Sequence, residues 1–172
     1  MRELVLGGVR SGKSRYAEQM AKDLGGELLY LATAEPLDSE MEARIANHQQ
    51  QRGAAWRLVE EPIHLADMLA QEAREGRTIL VECLTLWLTN LLMREDEALF
   101  SRQRSALLTL LPKLSGEILL VSNETGLGIV PMDPLSRRFC DEAGWLHQEL
   151  AQICERVTWV VAGLPQAIKR SE

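Results

Sequence analysis

The chain has 172 residues, 46% of them hydrophobic and 26% charged, which suits one folded domain that buries about 70% of its unfolded surface and excludes a disordered chain. Lys and Arg number 19 against 25 Asp and Glu, a net charge of −6, and the four Trp, two Tyr and two Phe never interleave with a basic run. That excludes a general nucleic-acid binder, so no nucleic acid is expected as a partner.

Short apolar runs alternate with longer segments of helical period, the pattern of an α/β domain with a mostly parallel sheet of five or six strands. Glu3 to Leu6 reads as the first strand, and Lys13 to Leu24 as a helix with Tyr16, Ala17, Met20 and Ala21 on one face, ended by Gly25-Gly26. Leu28 to Ala32 is a second strand. Ser39 caps a helix running to Arg52, and Arg57 to Val59 is a short strand. His64 to Glu75 is an amphipathic helix, and the β-branched run Thr78 to Val81, closed by Glu82, looks like a central strand. Two helices, Thr85 to Arg94 and Ala98 to Leu114, lead to a buried strand, Glu117 to Val121, and then to a glycine-bearing loop from Asn123. A long helix, Leu135 to Arg156, precedes a last strand, Val157 to Val161, and a polar tail. No repeat or linker divides the chain, so residues 1–172 read as a single domain.

Cys83, Cys140 and Cys154 are widely spaced, fit neither a disulfide framework nor a CxxC metal site, and read as reduced, buried thiols. The chain enters Glu3-Leu4-Val5-Leu6 without a cleavable signal, and the most apolar stretch, Leu84 to Leu92, is too short and too interrupted to span a bilayer. The expectation is a cytoplasmic protein with no stable membrane insertion.

Gly7-Gly8-Val9-Arg10-Ser11-Gly12-Lys13-Ser14 matches G-x-x-x-x-G-K-S/T between an expected strand and an expected helix. The glycines let the backbone aim its N–H groups at phosphate oxygens, and the helix beginning near Lys13 adds the positive end of its dipole. Lys13 then reaches the β- and γ-phosphates, and the Ser14 hydroxyl is placed to ligate Mg²⁺. The metal needs a carboxylate at the end of a neighbouring strand, for which Glu82 is the best candidate. The competing reading of Glu82 is a surface residue at a strand end.

On the helix after Ser39, Glu40, Arg44, His48 and Arg52 recur every four positions along one face. Read blandly, this is a solvated stripe in which Glu40 and Arg44 pair and His48 is merely exposed. Read functionally, two guanidiniums flank an imidazole, an arrangement suited to gripping a polyphosphate while a neutral nitrogen attacks phosphorus. His64 reads as a surface residue at a helix start, and His147 lies at the edge of a core face.

With these features in hand, the chain resembles the bifunctional adenosylcobinamide kinase/adenosylcobinamide-phosphate guanylyltransferase family of cobalamin assembly. The carriers are GGVRSGKS (residues 7–14), YLATA (30–34), EMEARIANH (40–48), ECLTLWLTNLL (82–92) and SNETGLGIVP (122–131), followed by Arg137, Phe139, Asp141 and Gly144. The resemblance implies a P-loop NTPase fold with a RecA-like sheet flanked by helices, and a homotrimer. It also implies two Mg²⁺-dependent reactions that use GTP and ATP as substrates on adenosylcobinamide and adenosylcobinamide phosphate. His48 looks like the family's nucleophile, carrying GMP covalently between GTP and the substrate phosphate. The nucleotide contacts implied are Gly7, Gly8, Val9, Arg10, Ser11, Gly12, Lys13, Ser14, Ala32, Thr33, Ala34, Gln49, Gln50, Gln51, Arg52, Glu60 and Glu82. His147 stands where the family pattern has asparagine. A plain P-loop small-molecule kinase without a covalent intermediate is the alternative reading, and a nucleotide-dependent switch is a third. The loop of residues 123–131 reads either as a substrate-facing segment, with Glu124 able to orient a substrate hydroxyl, or as an ordinary glycine turn.

Overall fold

A computed structural model describes residues 1–35 and 55–170 of the chain. The expected helix from Ser39 to Arg52, and with it Glu40, Arg44, His48, Gln49, Gln50, Gln51 and Arg52, lies outside the described residues. The described chain forms strands β1 (Arg2–Gly7), β2 (Glu27–Ala32), β3 (Trp56–Glu60), β4 (Arg77–Glu82), β5 (Glu117–Asn123), β6 (Arg156–Val161) and β7 (Leu164–Lys169). Its helices are α1 (Lys13–Leu24), α2 (Leu65–Glu72), α3 (Leu84–Met93), α4 (Glu97–Leu110) and α5 (Pro134–Ile153).

All seven strands join one sheet in the order β3-β2-β4-β5-β1-β6-β7, parallel except for the last pair. The central strands are apolar almost continuously because both faces are covered, as expected of a parallel sheet. Successive residues serve opposite faces: Leu4, Leu29, Leu31, Ile79, Val81, Ile118 and Leu120 enter a core shared with α2 to α5. Val5, Tyr30, Leu80, Leu119 and Val121 pack on the other side with Ala17 and Ala21 of α1. Trp87 of α3 is wholly buried, and its indole N–H donates to Ile63 O at 2.8 Å. Burying such a side chain stabilises by about 3 kcal/mol.

The expected polar tail after Val161 is instead a seventh strand. Ala162 (φ 51) and Gly163 (φ 79) form a two-residue turn with both φ angles positive, as tight hairpins require, and Leu164 pairs back against Val161. The tail hid this because Ala-Gly is a weaker hairpin signal than Asn-Gly, and because Pro165 argues against a strand anywhere but at an edge, which is where β7 lies. Three helix ends also differ from expectation, α2 stopping at Glu72 rather than Glu75. Pro112 turns the last expected turn of α4 into a 3₁₀ segment, Leu111–Lys113, and α5 stops at Ile153 because Arg156 is already in β6.

At the end of the sheet where β4 begins, the almost fully buried Arg77 guanidinium meets Glu27 at 2.6 Å and also bonds Glu72. Arg57 grips the same Glu72 with two 2.8 Å bonds. Cys83 and Cys154 are buried, and burial pushes the Cys154 thiol up to about 12. Cys140, expected to be buried, is half-exposed beside a surface cleft. Among the described residues no helix is long and apolar enough to cross a membrane.

Candidate functional site

Parallel pairing brings the carboxyl ends of the central strands to one edge, where ligands of open α/β sheets bind. Gly7 pairs with Asn123 on one side and Val160 on the other, while Ala32 pairs with both Glu82 and Glu60. The phosphate loop therefore opens at the same edge as the strand ends bearing the other candidate residues.

The loop leaves β1 at Gly7 and returns into α1 through Gly12, whose φ of 93° is natural only to glycine. A side chain is also excluded at Gly7, where a Cβ would lie 2.7 Å from Val160 O. Ser11 N–H donates to Gly8 O at 3.2 Å, and Gly163 N–H donates to Ser11 O at 2.7 Å. The β6–β7 turn thus buttresses the loop, and a Cβ at Gly12 would stand 3.0 Å from Gly163 Cα. This supporting role of Gly163 was missed in the sequence, because its only signal is the Ala-Gly pair in what reads as a tail.

Lys13 is largely buried, its Nζ donating to Gly8 O at 3.2 Å, so the ammonium lies folded over the loop it serves. Val9 and Arg10 project to solvent. Ser14 Oγ donates to Glu82 Oε1, and Tyr30 Oη donates to Glu82 Oε2 at 3.3 Å. The Tyr30 ring is itself set edge-on against Trp56 at 6.1 Å. Glu82 is therefore held at the loop's mouth rather than standing as a free surface carboxylate. A hydroxyl and a carboxylate oxygen meeting here form a hard-donor pair that fits Mg²⁺, which takes few protein oxygens and completes its shell with phosphates and water. Among the described residues no cluster of three His, Cys, Asp or Glu side chains could hold a metal unaided.

The YLATA segment forms the next wall. Thr33 is fully buried, and its hydroxyl donates to Cys83 O at 2.7 Å while accepting from Cys83 N–H at 2.8 Å. Asn90 Nδ2 donates to Thr33 O at 2.7 Å and to Pro62 O at 3.1 Å. The Thr33 side chain thus ties β2 to β4, leaving the backbone and the half-buried Ala34 as the parts that face the crevice edge. Glu60 ends β3 on the sheet's border, separated from the phosphate loop by β2, β4 and β5.

On the other flank Glu124 N–H donates to Gly7 O at 3.0 Å, pinning the first residue past β5 to the first residue of the loop. His147, on α5, is buried, and its Nε2 lies 2.7 Å from Ser122 Oγ, while Nδ1 faces Glu124 Oε2 at 3.9 Å. Burial pushes this imidazole below its ordinary range and the nearby Glu124 carboxylate only partly opposes the shift. His64 is an exposed residue at the start of α2, as expected. Two polar atoms at this end of the sheet, Ser11 Oγ and Asn123 Oδ1, are buried with no hydrogen-bond partner, a cost that a bound polar ligand relieves.

Residues 3–168 match the family described as "Cobinamide kinase / cobinamide phosphate guanyltransferase". The chain is 57% identical over 169 residues to the bifunctional adenosylcobalamin biosynthesis protein CobP of Pseudomonas aeruginosa, covering 98% of each. It is 37% identical over 179 residues to the bifunctional adenosylcobalamin biosynthesis protein CobU of Escherichia coli, covering 96% of this chain and 98% of the relative. In fold it is similar to the ATPase EscN of the enteropathogenic E. coli type III secretion system, with a TM-score of 0.54 at 14% identity, over 92% of this chain and 41% of EscN.

Proposed function

Since the chain belongs to the cobinamide kinase / cobinamide phosphate guanyltransferase family, we propose that it performs both reactions on one substrate, phosphorylating adenosylcobinamide with ATP or GTP and then transferring GMP to give adenosylcobinamide-GDP. The observation that best supports the kinase half is the phosphate loop at the end of β1, with Lys13 folded over it and Ser14 bonded to Glu82 at its mouth.

In the first reaction the substrate hydroxyl oxygen attacks the γ-phosphorus, and the bond from that phosphorus to the β,γ-bridging oxygen breaks. Backbone N–H groups of the loop from Gly7 to Ser14 cradle the phosphates, and Lys13 neutralises charge as it moves onto the leaving group. Ser14 and Glu82 would hold Mg²⁺, which would supply further neutralisation of the phosphate charge when bound.

In the second reaction a ring nitrogen of His48 attacks the α-phosphorus of GTP and pyrophosphate leaves. A phosphate oxygen of the phosphorylated substrate then attacks that phosphorus, the P–N bond breaks, and the histidine is restored. Arg44, four positions before His48 in the sequence, holds phosphate, and Ala32, Thr33, Ala34, Gln49, Gln50, Gln51, Arg52 and Glu60 contribute nucleotide contacts. These assignments rest on the resemblance and on residue spacing, the homotrimer rests on the resemblance alone, and the cytoplasmic setting rests on the sequence reading.

The test is direct. Purified protein with adenosylcobinamide, ATP and Mg²⁺ is expected to form adenosylcobinamide phosphate, and added GTP to convert it to adenosylcobinamide-GDP with release of pyrophosphate. ATP hydrolysis alone, with no modified corrinoid, contradicts the reading.

A further inference from the structure

Phosphoryl transfer to an alcohol needs a place for the alcohol beside the phosphate loop and an acceptor for its proton, and the described carboxylates differ sharply in what they already do. Glu82 is engaged by Ser14 and Tyr30. Glu3 is wholly buried near the amino end of β1, away from the loop, and is taken up by Tyr16, Thr158 and Arg156. Glu60 and Glu61 lie beyond β2 at the sheet's far border, Glu61 accepting the Ile63 and His64 N–H groups ahead of α2.

Glu124 is differently placed. Its backbone is fastened to Gly7, and its Oε1 accepts from Gly126 N–H at 2.8 Å, which sets the orientation of the carboxylate. It lines a surface cleft of about 470 Å³ between the loop of residues 124–131 and α5, together with His147, Arg137 and Asp141. Leu127 and Ile129, 74% and 98% exposed, give the cleft an apolar rim. An apolar rim above charged and hydrogen-bonding walls suits a bulky amphipathic molecule carrying amide groups and a hydroxyl-bearing arm.

His147 supplies an independent reason to regard Glu124 as placed. A leucine would pack the inner face of α5 as well, yet the position holds an imidazole fixed from behind: Nε2 to Ser122 Oγ at 2.7 Å, Ser122 Oγ to Thr85 Oγ1 at 3.3 Å, and Asn123 N–H to Thr85 Oγ1 at 2.8 Å. The carboxylate opposite Nδ1 favours the tautomer with the proton there and Nε2 accepting from Ser122. Burial pushes the imidazole toward its neutral form, and at 3.9 Å its Nδ1 bounds the space beside Glu124 Oε2 as a close neighbour and not as a bonded partner.

From this geometry we infer that the cleft between residues 124–131 and α5 receives the alcohol acceptor of the kinase reaction, that Glu124 takes the hydroxyl proton, and that His147 is the residue positioning that carboxylate. The inference rests on the kinase half of the proposed function. As the substrate oxygen bonds to the γ-phosphorus and the bridging P–O bond breaks, its proton passes to Glu124 Oε2 and thence to solvent, while the diphosphate leaves on the opposite side. The second reaction needs no such base, because its attacking group is already an anionic phosphate.

That asymmetry provides the test: the ratio of the kinase rate on adenosylcobinamide to the GMP-transfer rate on pre-formed adenosylcobinamide phosphate, which does not depend on how much of a preparation is folded. Glu124→Gln is expected to lower this ratio about 100-fold with the KM for ATP within twofold. Glu124→Asp, a gentler change, is expected to lower it about tenfold. His147→Leu is expected to lower the ratio through kcat, and His147→Asn, which can still donate toward Glu124, to recover most of the loss. An unchanged ratio in both Glu124 variants, or equal loss of both rates with a raised KM for ATP, overturns the assignment. Wild-type protein that leaves adenosylcobinamide unphosphorylated overturns instead the reading on which it rests.

Discussion

Ser14 Oγ, in the first turn of α1, donates a hydrogen bond to Glu82 Oε1 at the end of β4, joining residues 68 positions apart at the mouth of the phosphate loop. Two oxygen donors so placed are those that would hold the Mg²⁺ of the proposed reaction. Glu82→Gln is expected to raise the Mg²⁺ concentration giving half-maximal kinase rate at least tenfold and to lower the saturated rate by about 100-fold. A titration of rate against Mg²⁺ indistinguishable from wild type would remove Glu82 from the metal site.

Lys13 is buried over the loop, where its Nζ donates to Gly8 O at 3.2 Å, so its loss should damage chemistry more than folding. Lys13→Ala is predicted to reduce kinase kcat by about 1,000-fold, the range of a single preorganised charge-stabilising group. Thermal unfolding should stay within a few degrees of wild type. Retained turnover at a tenth of the wild-type rate or better sinks the role given to this lysine.

The turn at Gly163 supports the loop from β6–β7, donating to Ser11 O at 2.7 Å from a backbone with φ 79. Gly163→Val forces a β-branched side chain into that conformation at a cost of about 1–3 kcal/mol, and should raise the KM for ATP several-fold although residue 163 is far from the loop in sequence. An unaltered KM in a folded variant would mean that the buttress is unnecessary.

At the opposite end of the sheet, Arg77 beside Glu27 and Arg57 on Glu72 hold both carboxyls below the ordinary range. A folded pKa below the unfolded value of about 4.3 gives stability that is full above that value and is lost as pH falls through the folded one. Arg77→Met should therefore shift acid unfolding to higher pH and destabilise near neutrality, with Glu72 keeping Arg57 and Glu27 keeping Arg74 as their remaining partners. Circular dichroism against pH checks this, and an unshifted acid midpoint contradicts it.

Much of the architecture is legible in the sequence. Continuous apolar runs at Thr78 to Val81 and Glu117 to Val121 announce strands covered on both faces, and the phosphate-loop motif does lie between a strand and a helix. Glu82 was also readable, as the first polar residue after such a run. What sequence hid depends on pairing between distant segments. Nothing local says that Gly163 touches Ser11, that the Thr33 hydroxyl is spent on Cys83, or that His147 reaches Ser122 on another element. Helix-edge position alone left His147 an ordinary core-margin residue, and only its contacts lift it toward function.

The measurement that bears most directly on the two-reaction account is covalent labelling. Protein incubated with Mg²⁺ and GTP labelled in the α-phosphate, then denatured, is predicted to retain label that acid releases and alkali does not. The His48→Ala protein should retain none while still phosphorylating adenosylcobinamide. Folded, GTP-binding wild-type protein that keeps no label, or a His48→Ala protein that still transfers GMP, contradicts the guanylylated histidine and leaves a simple kinase.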